Sequence, residues 1–211
     1  MTRHRPVPWH ARIRAVVAFV GIALLALSAG CSSSNSSSKV ASLSSSSAPP
    51  EPVSGDGCAA DAGDGSAIAA IATKTLSAAL AAIPSASDFA AYLKANTQTA
   101  SALDMATRYA IFVPINAAFA KLTPAQKATI DTVPATRDAM LLYAVSAVPL
   151  VPSKLVAAQQ VPTIYGPSPK LTVTISGTTM MLNGQATALC RNIATSGGTI
   201  YLTDTVLFPT A

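Results

Sequence analysis

The chain has 211 residues, of which half are hydrophobic and 11% are charged. That composition is typical of a protein with a sizeable core and excludes a largely disordered chain. The formal net charge of +5 arises near the start, because four of the fourteen basic residues lie in the first fourteen positions. From residue 31 onward there are ten basic and nine acidic residues. We therefore predict no nucleic-acid partner, which would require a clustered basic surface.

The first thirty residues have the layout of a secretory signal peptide. Residues 1–14 are basic and polar, and the run from Ala15 to Ala29 is apolar without a charge. This run of fifteen residues is shorter than the about 20 that a membrane-spanning helix needs. It ends in Ser-Ala-Gly-Cys31, which is similar to a bacterial lipobox, although the leucine stands one position too early. We predict a lipoprotein signal peptide over residues 1–30 and lipidation of Cys31; ordinary secretory cleavage is the alternative.

Residues 31–57 are rich in serine and proline. The segment holds long serine runs followed by Ala-Pro-Pro-Glu-Pro, with too few apolar side chains to offset the entropy of ordering it. We predict a flexible tether with an average end-to-end distance of roughly 28 Å. The folded domain is expected to occupy residues 58–211.

Short helices are predicted in the first half of this domain. Ser66 is expected to cap a helix that ends near Ala82, and Asp88–Ala95 has the pattern of a second helix, followed by a looser stretch. Thr123-Pro124-Ala125-Gln126 has the pattern of a capping box with proline at the first helical position, so a further helix starts there. Arg137–Tyr143 is predicted as the next helix.

Strands are predicted in the second half. Lys170–Ser176 alternates apolar and polar residues, and Thr178–Leu182 follows across a Gly-Thr turn. Asn183-Gly184 is a strong hairpin signal that leads into a strand over Gln185–Cys190. Helices followed by strands of this kind predict an α+β domain.

A buried strand followed by a short helix is predicted between Tyr109 and Leu122. Pro114 ends the strand because it cannot donate to a sheet ladder, and Asn116 is expected to cap the helix. The stretch resembles the first signature of the fasciclin domain, F-A-P-T-N-x-A-F-x-x-L. Ile115 stands where that family usually has threonine. The matching residues are Phe112, Pro114, Asn116, Ala118, Phe119 and Leu122.

The end of the chain is similar to the second fasciclin signature, D-I-x-A-T-N-G-x-I-x-V-I-D-x-V-L-x-P. The matching residues are Ile193, Ala194, Thr195, Gly197, Ile200, Asp204, Val206, Leu207 and Pro209. The resemblance covers about residues 66–209. It implies a single domain in which twisted antiparallel β-sheets form a sandwich or wedge, with several short helices packed on one side.

The Tyr-His pair of fasciclin domains is only half present, since Tyr143 is kept and Ala144 replaces the histidine. Adhesion that depends on that pair in other family members is therefore not carried over. Beyond Cys31 the chain has Cys58 and Cys190, at opposite ends of the domain. In an exported protein such a pair is expected to form a disulfide. The arrangement resembles the lipid-anchored and secreted fasciclin antigens of mycobacteria and related actinobacteria.

Catalytic chemistry is not predicted. Both histidines lie in the leader, so the mature chain would lack Ser-His and Cys-His nucleophiles and histidine metal ligands. Its single glutamate, Glu51, lies in the predicted tether. No phosphate-binding loop or zinc pattern is present, and we expect neither cofactor nor metal. The domain's aspartates are dispersed without an acid-pair motif: Asp88, Asp104, Asp131, Asp138 and Asp204.

The resemblance implies a cell-surface lipoprotein that displays a non-catalytic adhesion or binding domain. A lipid anchor would hold it at the outer face of the bacterial membrane, while a fraction of the molecules would be secreted. Its partner would be a matrix, host-surface or envelope component. The alternative is a carrier that binds a lipid or apolar small molecule in a cleft between helices and sheet. Met180, Met181, Tyr165 and Tyr201 are the candidate lining residues. A structural envelope protein without a dedicated ligand is the third hypothesis.

Overall fold

The structure is a computed structural model that describes residues 51–59, 66–148, 152–153 and 160–209. The predicted signal peptide, Cys31 and most of the predicted tether lie outside the described residues. No helix within those ranges is long and apolar enough to cross a membrane.

The helices precede most of the strands in the chain. A 3₁₀ turn at Asp56–Cys58 is followed by α1 (Ser66–Ala69), α2 (Leu76–Ala81), a 3₁₀ turn at Pro84–Ala86, α3 (Ser87–Ala95), α4 (Thr97–Met105), α5 (Asn116–Ala120), α6 (Pro124–Thr132) and α7 (Pro134–Tyr143). The strands are β1 (Tyr109–Pro114), β2 (Val145–Ser146), β3 (Gln160–Thr163), β4 (Gly166–Ser176), β5 (Thr179–Leu182), β6 (Ala186–Ala194) and β7 (Gly198–Thr203).

The helical region differs from the prediction in three places. The helix expected from Ser66 to Ala82 is divided into α1 and α2, and at the division the carbonyl of Lys74 accepts a bond from the Ser196 amide, 2.9 Å away. The stretch expected to be looser is helix α4, which Asn96 caps by accepting from the Thr99 amide. Helix α7 begins at Pro134 rather than Arg137, because proline suits the first helical turn.

The strands form one seven-stranded sheet in the order β2-β1-β7-β6-β5-β4-β3. The sheet is mixed rather than wholly antiparallel, because β1 and β7 run parallel, with Phe112 opposite Tyr201. The sheet curls so that its two ends approach each other, and the Ile164 amide donates to the Val145 carbonyl at 2.8 Å. The predicted α+β class, with helices beside a twisted sheet, is confirmed.

Each face of the sheet covers its own apolar core. One face packs against the helices, with Ile111, Val113 and Ile200 against Phe89 and Phe119. The concave face encloses a second cluster that includes Phe112, Tyr201, Val161, Leu171, Met180 and Leu182. Strand β1 serves both cores, which explains why all six of its residues are buried.

The predicted tether, residues 31–57, extends too far, because its last residues belong to the folded unit. Strand β6 is paired with β5 only at Ala186 and Thr187. Further along β6, Arg191 pairs instead with Ser54 through backbone bonds of 3.2 and 2.8 Å. The side-chain amide of Asn192 donates to the carbonyl of Glu51. Composition indicated flexibility here, but these bonds to β6 hold the segment against the sheet. Its folded part therefore includes Glu51.

The predicted disulfide between Cys58 and Cys190 is present. It joins the 3₁₀ turn to β6, with the two Cα atoms 4.7 Å apart and a sequence separation of 132. Cys190 is fully buried in the helix-side core. The bond therefore fastens the start of the folded unit to the middle of its sheet.

Candidate binding site

Asn116 does not cap its own helix, as the sequence suggested. Ile115 occupies the N-cap position of α5, without a side-chain bond. The Asn116 oxygen accepts from the Asp88 amide at 3.0 Å, and its nitrogen donates to the Pro84 carbonyl and to the Ser87 hydroxyl at 3.1 and 2.9 Å. This signature residue therefore ties the start of α3 to α5, and its role is structural.

We expect Asn116→Ala to lower the free energy of unfolding by about 1–3 kcal/mol, because it leaves an amide in the first turn of α3 and a carbonyl without their partners. Urea denaturation followed by circular dichroism measures this change. Lys127→Ala, at an exposed position on α6, is the control and should change stability by no more than about 0.5 kcal/mol. A loss below that value for Asn116→Ala would contradict the bracing role.

Tyr143, the retained half of the Tyr-His pair, is fully buried. Its hydroxyl donates to the Lys170 carbonyl at 3.3 Å and accepts from the Asn183 side-chain nitrogen at 2.9 Å. Ala144, at the position of the family's histidine, is 2% exposed. The pair therefore joins α7 to the sheet and presents no polar group of its own at the surface.

The remaining signature residues also support the fold. Phe112, Pro114 and Phe119 are buried and Leu122 is half-buried, so none offers an exposed side chain. Thr195 accepts from the Gly198 amide at 3.0 Å, and its hydroxyl lies 3.1 Å from that of Tyr109.

Two further signature positions stabilise turns. Asp204 accepts from the Thr187 amide at 2.7 Å and forms an ion pair with Lys121 at 3.7 Å. The carbonyl of Gly197 accepts from the Arg108 amide, which holds the β6–β7 turn against the start of β1. The two signatures thus meet in the structure and form its framework.

Three aspartates of the helical region bind separate partners. Asp104 accepts from the Ser77 amide at 2.8 Å, Asp131 from the Tyr92 hydroxyl at 2.6 Å and Asp138 from the Asn96 side chain at 2.7 Å. Burial and the bond to Asp131 raise the pKa of Tyr92 to about 12. Among the described residues, no three histidine, cysteine or carboxylate side chains are grouped to hold a metal.

The four residues predicted to line a lipid cleft do not form one. Met180 and Tyr201 are fully buried in the concave-face core, where Tyr201 packs on Phe112 with ring centroids 5.2 Å apart. Met181 is half-buried, while Tyr165 is exposed and packs edge-on against Tyr143. Strand alternation separates the two methionines, because neighbouring residues point to opposite faces of a sheet.

An apolar groove lies instead between helix α4 and the place where the ends of the sheet approach each other. We call it the α4 groove. Its volume is about 360 Å³, and its lining includes Ala102 and Leu103 from α4, Val145 and Ala147 near β2, Ile164 after β3, and Arg108. It lies between helices and sheet, as the carrier hypothesis expected, but with different residues.

The surroundings of the α4 groove are unusually apolar for a protein surface. Six large hydrophobic side chains are exposed among the described residues, and four of them lie in the groove or next to one of its residues in the chain. These four are Met105, Val148, Ile164 and Tyr165. Tyr109 lies in the floor, where burial raises the pKa of its hydroxyl. Such clustering is typical of an interaction site, whereas single exposed hydrophobic residues are ordinary.

A second groove lies on the other side of α4, between α2, α3 and α4. We call it the α3–α4 groove; its volume is about 490 Å³, and Ala91 and Ala100 are among its lining residues. It carries both a cation, Lys94, and a carboxylate, Asp104. Neither groove was anticipated in detail because α4 was missed. The sequence does contain a signal for α4. Asn96 is a suitable cap before a threonine-rich first turn, and Ala100 and Leu103 have helical spacing.

Comparison with known proteins agrees with the signatures and with this fold. Residues 84–209 match the family model of the fasciclin domain. The chain is 34% identical over 104 residues to immunogenic protein MPB70 of Mycobacterium bovis, which covers 49% of this chain and 51% of that protein. It is 35% identical over 103 residues to cell surface glycolipoprotein MPB83 of the same species, covering 49% and 44%.

The match spans about half the length of these relatives. Among solved structures, the FAS1 domain pair from the insect cell adhesion molecule fasciclin I superposes with a TM-score of 0.55 at 17% identity. The match covers 64% of this chain and 51% of the insect chain, and it shows the fold alone. The family model extends over more than half of the chain. The chain belongs to the fasciclin domain family.

Proposed function

We propose that this protein is an exported lipoprotein that displays a non-catalytic fasciclin domain at the outer face of a bacterial membrane. The disulfide between Cys58 and Cys190 carries the proposal, because such bonds persist in oxidising compartments outside the cytoplasm. Relatives named an immunogenic protein and a cell surface glycolipoprotein support the same location. A fraction of the protein molecules is expected to be secreted rather than anchored.

Surface display requires an anchor and a spacer. Lipidation of Cys31 with two acyl chains would anchor the chain stably, whereas one chain is marginal. Since residues 51–58 are bonded to β6, the proposed spacer is residues 31–50, with an average reach of roughly 25 Å as a flexible coil. The domain would then remain near the membrane surface with freedom to reorient.

The side chains of the proposed mature protein suit a binding role better than a catalytic one. The proposed mature chain contains no histidine. The carboxylates of Asp104, Asp131 and Asp138 are each engaged with a different partner, as described above, so these three form no acid–base pair. The proposed partner is a matrix, host-surface or envelope component, without involvement of nucleic acid.

Cys31→Ala tests the anchor. In a bacterial host that processes lipoproteins, the wild-type protein should fractionate with membranes, and Cys31→Ala should appear in the medium or stay unprocessed, because no thiol is present to acylate. Ser32→Ala leaves that thiol in place and is the matched control. Immunoblots of membrane and soluble fractions give the distribution, and mass spectrometry gives the N-terminus. Membrane retention of a correctly cleaved Cys31→Ala protein would contradict the proposal.

A second candidate function is a carrier for an apolar small molecule. The α4 groove favours it, since a concave apolar surface with a few polar groups is the usual form of a small-molecule site. The two functions are compatible, because a displayed domain can also hold a ligand.

A further inference from the structure

We propose that the α4 groove binds a fatty acid, with the acyl chain along its apolar walls and the carboxylate on the guanidinium of Arg108. The inference names the ligand class of the carrier function, on which it rests. It does not depend on lipidation of Cys31.

The size and lining of the groove suit a single acyl chain. A volume of about 360 Å³ lies at the lower end of the roughly 300–1,000 Å³ of small-molecule sites. Leu103, Tyr109 and Val145 in its lining are buried, whereas Ala102 and Ile164 are exposed. A ligand lying between them would remove apolar surface on both sides from water, which is the main source of acyl-chain affinity.

The charge of the groove specifies the head group. Among the described residues, Arg108 is the one charged residue that lines it, and its side chain is exposed and has no hydrogen-bond or ion-pair partner within those residues. The nearby Asp104 accepts from the Ser77 amide and lines the other groove, so it does not neutralise the guanidinium by direct contact. A planar guanidinium can donate two parallel bonds to a carboxylate.

The position of Arg108 is determined by its backbone. Its φ angle is 72°, in the left-handed region that an arginine seldom adopts, and its amide donates to the Gly197 carbonyl. This conformation brings the residue out between the end of α4 and the start of β1. Arg108 lines the groove, so its guanidinium can reach the head group of a fatty acid bound there.

The α3–α4 groove provides the comparison within the same molecule. It is larger and also apolar, but Lys94 is accompanied there by Asp104. A carboxylate ligand there would be attracted by Lys94 and repelled by Asp104. The charge argument thus favours the α4 groove over its neighbour on the same helix.

The experiment uses the mature chain, residues 31–211, carrying Cys31→Ala so that no lipid is attached. The probes are dodecanoate and dodecyltrimethylammonium, which have the same chain length and opposite charge, both below their micelle concentrations. Isothermal titration calorimetry measures affinity. We expect saturable 1:1 binding of dodecanoate. Arg108→Gln should weaken it about three- to tenfold, the range for an exposed charge-assisted bond, and Arg108→Lys should weaken it less.

Two bulky substitutions locate the acyl chain. Ala102 and Ala91 are both exposed helical alanines, one in each groove. Ala102→Trp should abolish dodecanoate binding by filling the α4 groove, and Ala91→Trp should leave it unchanged. Lys94→Gln is the control for a cation beside the other groove and should also have no effect. Dodecyltrimethylammonium should bind more weakly than dodecanoate, and Arg108→Gln should not weaken it further.

Three results would overturn the inference. They are the absence of saturable dodecanoate binding, equal affinity in Arg108→Gln, and loss of binding with Ala91→Trp but not with Ala102→Trp. Circular dichroism of each variant confirms that it is folded. Since the anchor is tested by membrane fractionation, a failure of fatty-acid binding with intact anchoring would reject the ligand and leave surface display standing.

Discussion

Loss of the disulfide between Cys58 and Cys190 is expected to lower the free energy of unfolding by about 2–5 kcal/mol. The bond closes a loop of 132 residues, so its removal greatly enlarges the set of unfolded conformations. In the folded state it secures a segment that otherwise depends on the two backbone bonds between Ser54 and Arg191, on the bond from Asn192 to Glu51 and on the bonds from Ser153 to the Glu51 carboxylate. These few bonds should open locally once the covalent link is absent.

Urea denaturation of the mature chain, with and without dithiothreitol, measures the effect. The matched variant is Cys58→Ala/Cys190→Ala, because alanine avoids placing a hydroxyl in the core around the fully buried Cys190. The reduced wild type and the double variant should unfold at similar urea concentrations. Hydrogen exchange should accelerate in residues 51–58 and much less in β1 and β7. A loss of less than about 1 kcal/mol on complete reduction would contradict the expectation.

The sequence was informative where a structure depends on neighbouring residues. The capping box at Thr123 and Gln126 is formed as predicted, since both of its bonds lie within four residues. Asn183 and Gly184 have φ angles of 52° and 63°, as a tight hairpin requires. The buried strand at Tyr109–Pro114 was recognisable from its uninterrupted apolar run.

Partners distant in sequence could not be predicted in this way. Asn116 has the right residue type for a cap, but its bonds go to Pro84, Ser87 and Asp88, about thirty residues earlier. Composition also suggested that residues 51–57 are flexible, because it contains no information about the available edge of β6. The parallel pairing of β1 and β7 likewise depends on the complete topology.

The candidate site illustrates the same limit. The α4 groove combines residues near position 102, position 145 and position 164, which no single motif connects. A cleft between helices and sheet was a reasonable expectation for this fold. The lining residues were mispredicted because Met180 and Tyr201 are large and apolar, and such residues occur in cores more often than in clefts. Arg108 had no local signal that distinguished it from other surface cations.

Gly198→Ala is expected to destabilise the domain by at least about 3 kcal/mol, because the site has no room for a methyl group. A Cβ atom on Gly198 would collide with the carbonyl oxygen of Tyr109 and lie 2.6 and 2.8 Å from two atoms of its ring. Tyr109 cannot easily move away. The residue is 2% exposed, its hydroxyl lies 3.1 Å from that of Thr195, and it stands opposite Gly198 in the parallel pair of β1 and β7.

Gly166→Ala is the matched control. Gly166 also begins a strand, but the nearest atom to its added Cβ would lie 3.8 Å away, an ordinary van der Waals distance. Its stability should change by no more than about 0.5 kcal/mol. Urea denaturation followed by far-ultraviolet circular dichroism suits both variants, because the only tryptophan of the chain is Trp9, in the predicted leader. If Gly198→Ala unfolds at the same urea concentration as Gly166→Ala, the close contact between β1 and β7 does not constrain the sheet as inferred here. A large loss confined to Gly198→Ala would show that the junction of the two signatures holds these strands together.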